Sequence, residues 1–215
     1  MDEGPLANPA LDDLRRRLQA VEVEAKPAEV AQVLAAMASY DGAFREEFGR
    51  EHDHFRLLGE DNVRRYLPIP TVRIRVDARD SFFDVFARAC AARAAGCGMT
   101  MSLPPGLVHA ALRRLDEMTE TWAAGIEFIE ETDADLAAAI RGGEVERVRF
   151  AAAERVPAEL RAVAHEAGVF LADAPVVAEG RVELLWYVRE QSVSHAYHRY
   201  GNLGGRAGER RAEPR

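Results

Sequence analysis

The sequence predicts an α/β protein: a Rossmann-like, mainly parallel sheet with an N-terminal helical arm and a C-terminal hairpin and extended arm. Three observations predict it. Short β-like runs alternate with helical ones between residues 70 and 172, the pattern of βαβ units. The helical runs in that region start at proline or capping-box signals, and several stop at glycine. Upstream of Pro70 the apolar residues recur only at helical spacing.

Composition bounds the rest. The chain has 215 residues, 48% hydrophobic and 30% charged, with a net charge of −8, as in ordinary globular domains. One moderate domain with appendages, or two small ones, is the size prior. The acidic excess repels phosphate backbones, so no nucleic-acid partner is expected. No run approaches the roughly 18 to 20 apolar residues that span a bilayer, and the first nine residues lack the basic-then-apolar order of a leader. A cytoplasmic protein without a membrane span is the expectation. Cys90 and Cys97 lie in alanine-rich surroundings that suit reduced, buried thiols. Lys26, the sole lysine, precedes Pro27 in a polar connector, which argues against Schiff-base chemistry.

The elements follow in order. Residues 1–9 and 205–215 read as flexible tails, and residues 10–69 as a helical arm with a connector. Leu11, Leu14, Leu18 and Val21 mark a short helix. Val30, Val33, Leu34, Met37, Tyr40, Phe44 and Phe48 mark a longer one running to about residue 52. Residues 52–70, with Gly59, Asn62, Pro68 and Pro70, read as an irregular connection in which Tyr66 packs. The Rossmann-like region with its terminal hairpin covers residues 70–189. Its first strand alternates Val72, Ile74 and Val76 against Arg73 and Arg75, which predicts a position near the sheet edge. Ser81 with Asp84 and Thr132 with Asp135 form capping boxes, Pro104 and Pro157 open further elements, and five short strands and four helices result. Residues 176–188 read as a hairpin with Leu184, Leu185 and Trp186 as its apolar body. An exposed surface there predicts homo-oligomers wherever no partner covers it.

A Rossmann-like order invites a dinucleotide, but the first βα turn, from Val76 to Ser81, holds no glycine and carries Asp77, Arg79 and Asp80. No cofactor is expected in this chain. Cys97 is the one candidate nucleophile near a strand start, and it has no histidine or carboxylate beside it in the chain. His195 and His198, with Glu190 upstream, and the pair His52 and His54 offer weak metal-ligand spacings. The stretch from Glu190 to Gly204, EQSVSHAYHRYGNLG, is dense in aromatic and polar groups, the composition of a recognition surface. Its interaction candidates are Glu190, Gln191, Ser192, Ser194, His195, Tyr197, His198, Arg199, Tyr200 and Asn202. No catalytic or metal-ligating residue is assigned.

Three stretches resemble the C-terminal part of the PutA family, the bacterial bifunctional proline dehydrogenase and L-glutamate-γ-semialdehyde dehydrogenases. They are FREEFGREHDHFRLLGEDNVRRYLP from Phe44, MTMSLPPG from Met99, and the terminal motif 190–204. The resemblance implies an aldehyde-dehydrogenase-superfamily-like domain over about residues 30–204. It implies a noncatalytic role in proline catabolism, packing on dehydrogenase modules and covering the cavity through which 1-pyrroline-5-carboxylate or the semialdehyde passes. FAD and NAD would then belong to those other modules, reached in trans if this chain is a separate polypeptide. Two alternatives stand beside it: a residual NAD-dependent semialdehyde dehydrogenase using Cys97, and a histidine metal-binding module.

Overall fold

The structure, a computed structural model, describes residues 4–20, 25–122, 125–198 and 201–212. Leu11, Leu14 and Leu18 form the buried stripe of α1 (Pro9–Ala20); Val21, expected at its end, lies outside the described residues. Residues 4–8, expected to be a free tail, are tied down. The N–H groups of Ala7 and Asn8 donate to the two carboxylate oxygens of Asp41, at 2.9 and 2.8 Å, and Asn8 Oδ1 accepts from Ala10 N–H at the helix start. Helix α2 (Pro27–Ala43) begins on proline, whose missing N–H would have had no intrahelical partner there, and buries Val33, Ala36, Met37 and Tyr40. A π turn, Phe44–Phe48, extends it to Gly49.

Strand β1 (Glu60–Pro68) replaces the irregular connection expected there. Five parallel strands come next in the chain: β2 (Thr71–Arg75), β3 (Gly98–Leu103), β4 (Ile126–Glu130), β5 (Arg147–Arg149) and β6 (Phe170–Ala172). Their order in the sheet is β4-β3-β2-β5-β6. The linking helices are α3 (Phe82–Ala95), α4 (Ala110–Met118), α5 (Asp133–Arg141) and α6 (Ala158–Ala167). Both capping boxes form, with Ser81 and Thr132 accepting from Asp84 and Asp135 N–H groups. Gly96 ends α3 in the left-handed region, φ +83°, where a side chain would be strained.

Strand alternation divides the layers. Val72, Ile74, Met99 and Met101 join one core with the stripes of α1 to α4. Val148, in register with Arg73 on the opposite face, joins Leu136, Ile140, Leu160 and Val163 of α5 and α6 in a second core. The chain leaves β2 for β3 and β4 on one side and returns through β5 and β6 on the other. The topological switch point therefore falls between β2 and β5.

Two further expectations, an edge position for β2 and a hairpin over residues 176–188, do not hold. β2 sits in the centre of the sheet, because the side chains that mimicked a solvated face, Arg73 and Arg75, are largely buried and paired. The hairpin expected over residues 176–188 is a short helix α7 (Gly180–Glu183) and a 3₁₀ turn, Leu184–Tyr187. That turn places Leu184 and Tyr187, three apart, together in the core. Only then does the chain extend as β7 (Val188–Ala196), antiparallel to β1 in a two-stranded ribbon running from Glu60 opposite Ala196 to Pro68 opposite Val188. Of the surface expected to drive self-association, Leu184 is buried, Trp186 half-buried and Leu185 exposed. Among the described residues no helix is long and apolar enough to cross a membrane.

The contact of α7 with α2 is close at one point. A Cβ on Gly180 would lie 2.4 Å from the Ser39 carbonyl oxygen and 2.8 Å from Ala43 Cβ. Gly180→Ala is expected to destabilise the fold by about 2 kcal/mol or more through overpacking, seen as a lower urea midpoint at unchanged slope.

Candidate functional site

In an open α/β sheet, ligands enter at the carboxyl ends of the strands beside the switch point. Here that crevice is filled by the protein's own side chains. Arg88, on the inner face of α3 and fully buried, donates through Nη1 to the carbonyls of Arg75 at 2.8 Å and Arg149 at 3.4 Å, the last residues of β2 and β5. Its other amine pairs with the buried Asp80 carboxylate, which Arg155 also holds. Nε donates to the Asp84 carbonyl at 2.8 Å. Each nitrogen of the guanidinium is satisfied without water.

Two more arginines extend this plug. Arg75 donates to Ser102 Oγ at 2.8 Å, to the Glu131 carbonyl at 2.9 Å and to Asp133 at 2.7 Å, binding β2 to β3 and to the start of α5. Arg149 grips Glu183 through Nη2, at 2.9 and 3.0 Å from its two oxygens, and through Nε at 3.1 Å, both side chains fully buried, and caps the carbonyls of Phe150, Ala172 and Ala174. Glu183 also accepts from Tyr187 Oη at 3.1 Å and Val177 N–H at 3.2 Å. The first βα turn is closed by Asp80 N–H donating to the Asp77 carbonyl and by the Asp77–Arg79 pair. A phosphate arriving at that turn would meet carboxylates where a dinucleotide needs converging free amides. The residues present do not fit a nicotinamide dinucleotide at this crevice.

Cys97 lies at the opposite end of the sheet, just before the first residue of β3. That is roughly 15–20 Å from the carboxyl edge at about 3.3 Å per strand residue. Its thiol is 3% exposed and donates to the Tyr187 carbonyl at 3.1 Å; burial pushes its pKa up to about 12. Burial likewise raises Cys90. Both are protonated thiols at neutral pH, and neither resembles an activated nucleophile. His52 and His54 stack at 5.5 Å, while His195 stands on β7 and not on a helix. Among the described residues no group of three histidines, cysteines or carboxylates is arranged to hold a metal ion.

The interaction candidates line the ribbon. Arg65 donates to Gln191 at 2.7 Å, Arg64 lies 3.6 Å from Glu190, and Ser194 donates to Asn62 at 2.7 Å. Ser192 stands opposite Arg64, and His195 opposite Asp61. Tyr197 and His198 close the ribbon on the Gly59 carbonyl, through Tyr197 N–H at 2.9 Å and His198 Nδ1 at 2.9 Å. Gly59, φ +94°, is needed there, since a Cβ would lie 2.7 Å from the His198 ring. Arg199 and Tyr200 lie outside the described residues, and Asn202 caps the turn at Gly204. The described part of 205–215, expected to be a free tail, folds back as a strap. Arg206 grips Asp61 at 2.8 and 3.1 Å with its guanidinium 3.6 Å above the Tyr197 ring. Arg211 pairs with Asp53 at 2.9 Å and with Asp61, and Glu209 bridges both arginines and the Tyr197 hydroxyl.

No protein-family model matches the chain, and no curated protein matches it in sequence. Solved structures place it in a class. An NAD-dependent aldehyde dehydrogenase from Sinorhizobium meliloti is 14% identical with a TM-score of 0.62, over 76% of this chain and 36% of that one. A betaine aldehyde dehydrogenase from Staphylococcus aureus, solved with NAD+, is 14% identical with a TM-score of 0.56, over 76% and 35%. The fold is that of an aldehyde-dehydrogenase-like α/β domain. A more particular similarity is to Proline Utilization A (PutA) from Corynebacterium freiburgense, 27% identical with a TM-score of 0.50, over 84% of this chain but 16% of that one. The chain thus spans a minor part of each of these proteins.

Of the plug residues, the sequence marks Asp80 only as an acid in the first βα turn and does not single out Arg88, Arg149, Arg155 or Glu183. One signal was present: Arg88 falls three residues after Val85 on the apolar stripe of α3. Two outcomes follow. Glu183→Gln, which leaves the buried Arg149 charge uncompensated, is expected to cost about 3–5 kcal/mol in urea unfolding, and Arg149→Met combined with Glu183→Leu to recover much of that. For the strap, Arg206 and Arg211 hold Asp61 below its ordinary range, and Arg206 first, then Arg211, hold Glu209 down at about 2. Depressed carboxylates stabilise above their unfolded values and lose that contribution as pH falls through the folded ones. The Tyr197 ring resonances are expected to stay constant from neutral pH to about pH 4.5, then move to unfolded positions as the pH approaches 2.

Proposed function

We propose that this chain is a noncatalytic, PutA-type domain that packs on the proline dehydrogenase and L-glutamate-γ-semialdehyde dehydrogenase modules of a proline-catabolic enzyme. In that position it helps cover the cavity through which the semialdehyde, in equilibrium with 1-pyrroline-5-carboxylate, passes between active sites. The observation that carries the noncatalytic reading is the plugged switch point, where Arg88, Asp80 and Arg155 occupy the space a ligand would need. The similarity to PutA over 84% of this chain supports the family assignment. A cover needs no chemistry of its own: by excluding bulk water and blocking escape it holds a reactive intermediate near the next site.

The ribbon and its strap are the docking elements in this reading. A two-stranded ribbon is marginally stable alone, and Val193 and Leu67 remain exposed on it, at 41% and 38%. FAD and NAD belong to the partner modules, and the partners are those modules in preference to nucleic acid or membrane. A cytoplasmic setting follows from that assignment. The alternative, semialdehyde oxidation through Cys97, is disfavoured by the thiol's burial and its place at the amino end of β3.

The test adds purified chain to proline dehydrogenase and semialdehyde dehydrogenase modules that lack it. Co-elution, and a shortened lag before reduced NAD forms from proline, are the expected results. Val193→Asp is expected to weaken both, with the fold checked by circular dichroism. Absence of association would sink the proposal. Reduced NAD formed by the chain alone, and abolished by Cys97→Ser, would establish the alternative.

A further inference from the structure

The end of α2 builds a second concave site, far in character from the plugged crevice. The π turn Phe44–Phe48 closes with Gly49 N–H on the Phe44 carbonyl at 2.7 Å. A Cβ on Gly49 would sit 3.0 Å from that oxygen and 3.1 Å from the Phe44 ring, so the absence of a side chain lets the ring lie against the turn. Single π turns recur at functional sites because they displace side chains from the regular helical pattern. Here the displaced ring is a wall shared by two hollows. The larger, of 550 Å³, is lined by Ala7, Pro9, Phe44 and Ala94 together with the exposed Arg45 and Arg50. The smaller, of 290 Å³, lies against Phe44, Phe48, Tyr66, Pro68 and Val188. The larger volume is in the range of small-molecule sites, which combine apolar walls with a few polar groups.

Charge decides the kind of ligand. Among the described residues most arginines are paired with carboxylates, and Arg45 and Arg50 are among those that are not. Arg50 uses only Nε, donating to the Arg45 carbonyl at 2.8 Å, and among the described residues neither its terminal amines nor the Arg45 guanidinium has an ion-pair partner. The one carboxylate on the wall, Asp41, has both oxygens taken by the N–H groups of Ala7 and Asn8. The hollow therefore offers apolar walls, the Arg45 guanidinium and the two terminal amines of Arg50 against the single Asp41 carboxylate, a net positive lining that suits an anion with a hydrophobic body.

We propose that this hollow binds a small monocarboxylate, its apolar body on Phe44 and Ala94 and its carboxylate held by Arg45 and Arg50. The site stands apart from the docking role and survives its failure. The probe is 4-phenylbutyrate, with its neutral amide as control, titrated against the full chain by NMR. Saturable binding is expected, with transferred contacts to the Phe44 ring. The amide should bind about tenfold more weakly, as should the acid to the Arg45→Gln/Arg50→Gln double variant, since each loses a charge-assisted contact. Arg113→Gln, an exposed arginine elsewhere, should bind the acid as the unchanged chain does. No saturable binding at about 10 mM, equal binding of acid and amide, or an unaffected double variant would each overturn the proposal. Should the double variant misfold, the acid-to-amide ratio and the Phe44 contacts in the unchanged chain decide the matter.

Discussion

A guanidinium can be buried only where its N–H groups all find acceptors, and that constraint organises the carboxyl edge of this sheet. Arg88 meets it by reaching the final carbonyls of β2 and β5 together with Asp80 and the Asp84 carbonyl. Those carbonyls border the switch point, where a ligand-binding α/β protein keeps space and free donors. Once Arg88 is seated, the space and the acceptors are both committed. Arg75 and Arg149 repeat the solution on either side and tie the strand ends to α5 and α7. Buried ion pairs of this kind add little net stability over an apolar core, yet removing one partner is severe. They lock an arrangement more than they deepen it.

With the carboxyl edge closed, the surfaces available for recognition lie elsewhere. The ribbon of β1 and β7 has polar side chains on both faces, and its far end is clasped by Arg206 and Arg211 around Tyr197. These clasp contacts are partly exposed, so salt screens them, and their worth is in positioning. The Phe44 hollow belongs to a different part of the chain, where the wide turn after α2 leaves Arg45 and the terminal amines of Arg50 without ion-pair partners among the described residues.

Much of the sheet was legible in the sequence because its signals are local. Ser81 with Asp84 and Thr132 with Asp135 announce helix starts through side chains three residues apart, and Gly96 and Gly168 announce ends through a backbone conformation. What was not legible depends on partners far along the chain. β1 shows no apolar alternation because it pairs with β7, more than a hundred residues later, in a ribbon that touches the core mainly through Tyr66 and Val188 at one end. Leu184 to Tyr187 looked like a strand because apolar runs of that length suit a buried strand or turn equally. β2 looked like an edge strand because a buried, fully paired arginine and a solvated one are the same letter.

Arg88 occupies the place where a dinucleotide would have to enter. The most direct measurement is a crystal structure of the chain determined with millimolar NAD. The expected result is Arg88 between the Arg75 and Arg149 carbonyls, paired with Asp80, and no dinucleotide at the strand ends. Dinucleotide seated between β2 and β5, with Arg88 displaced, would contradict it.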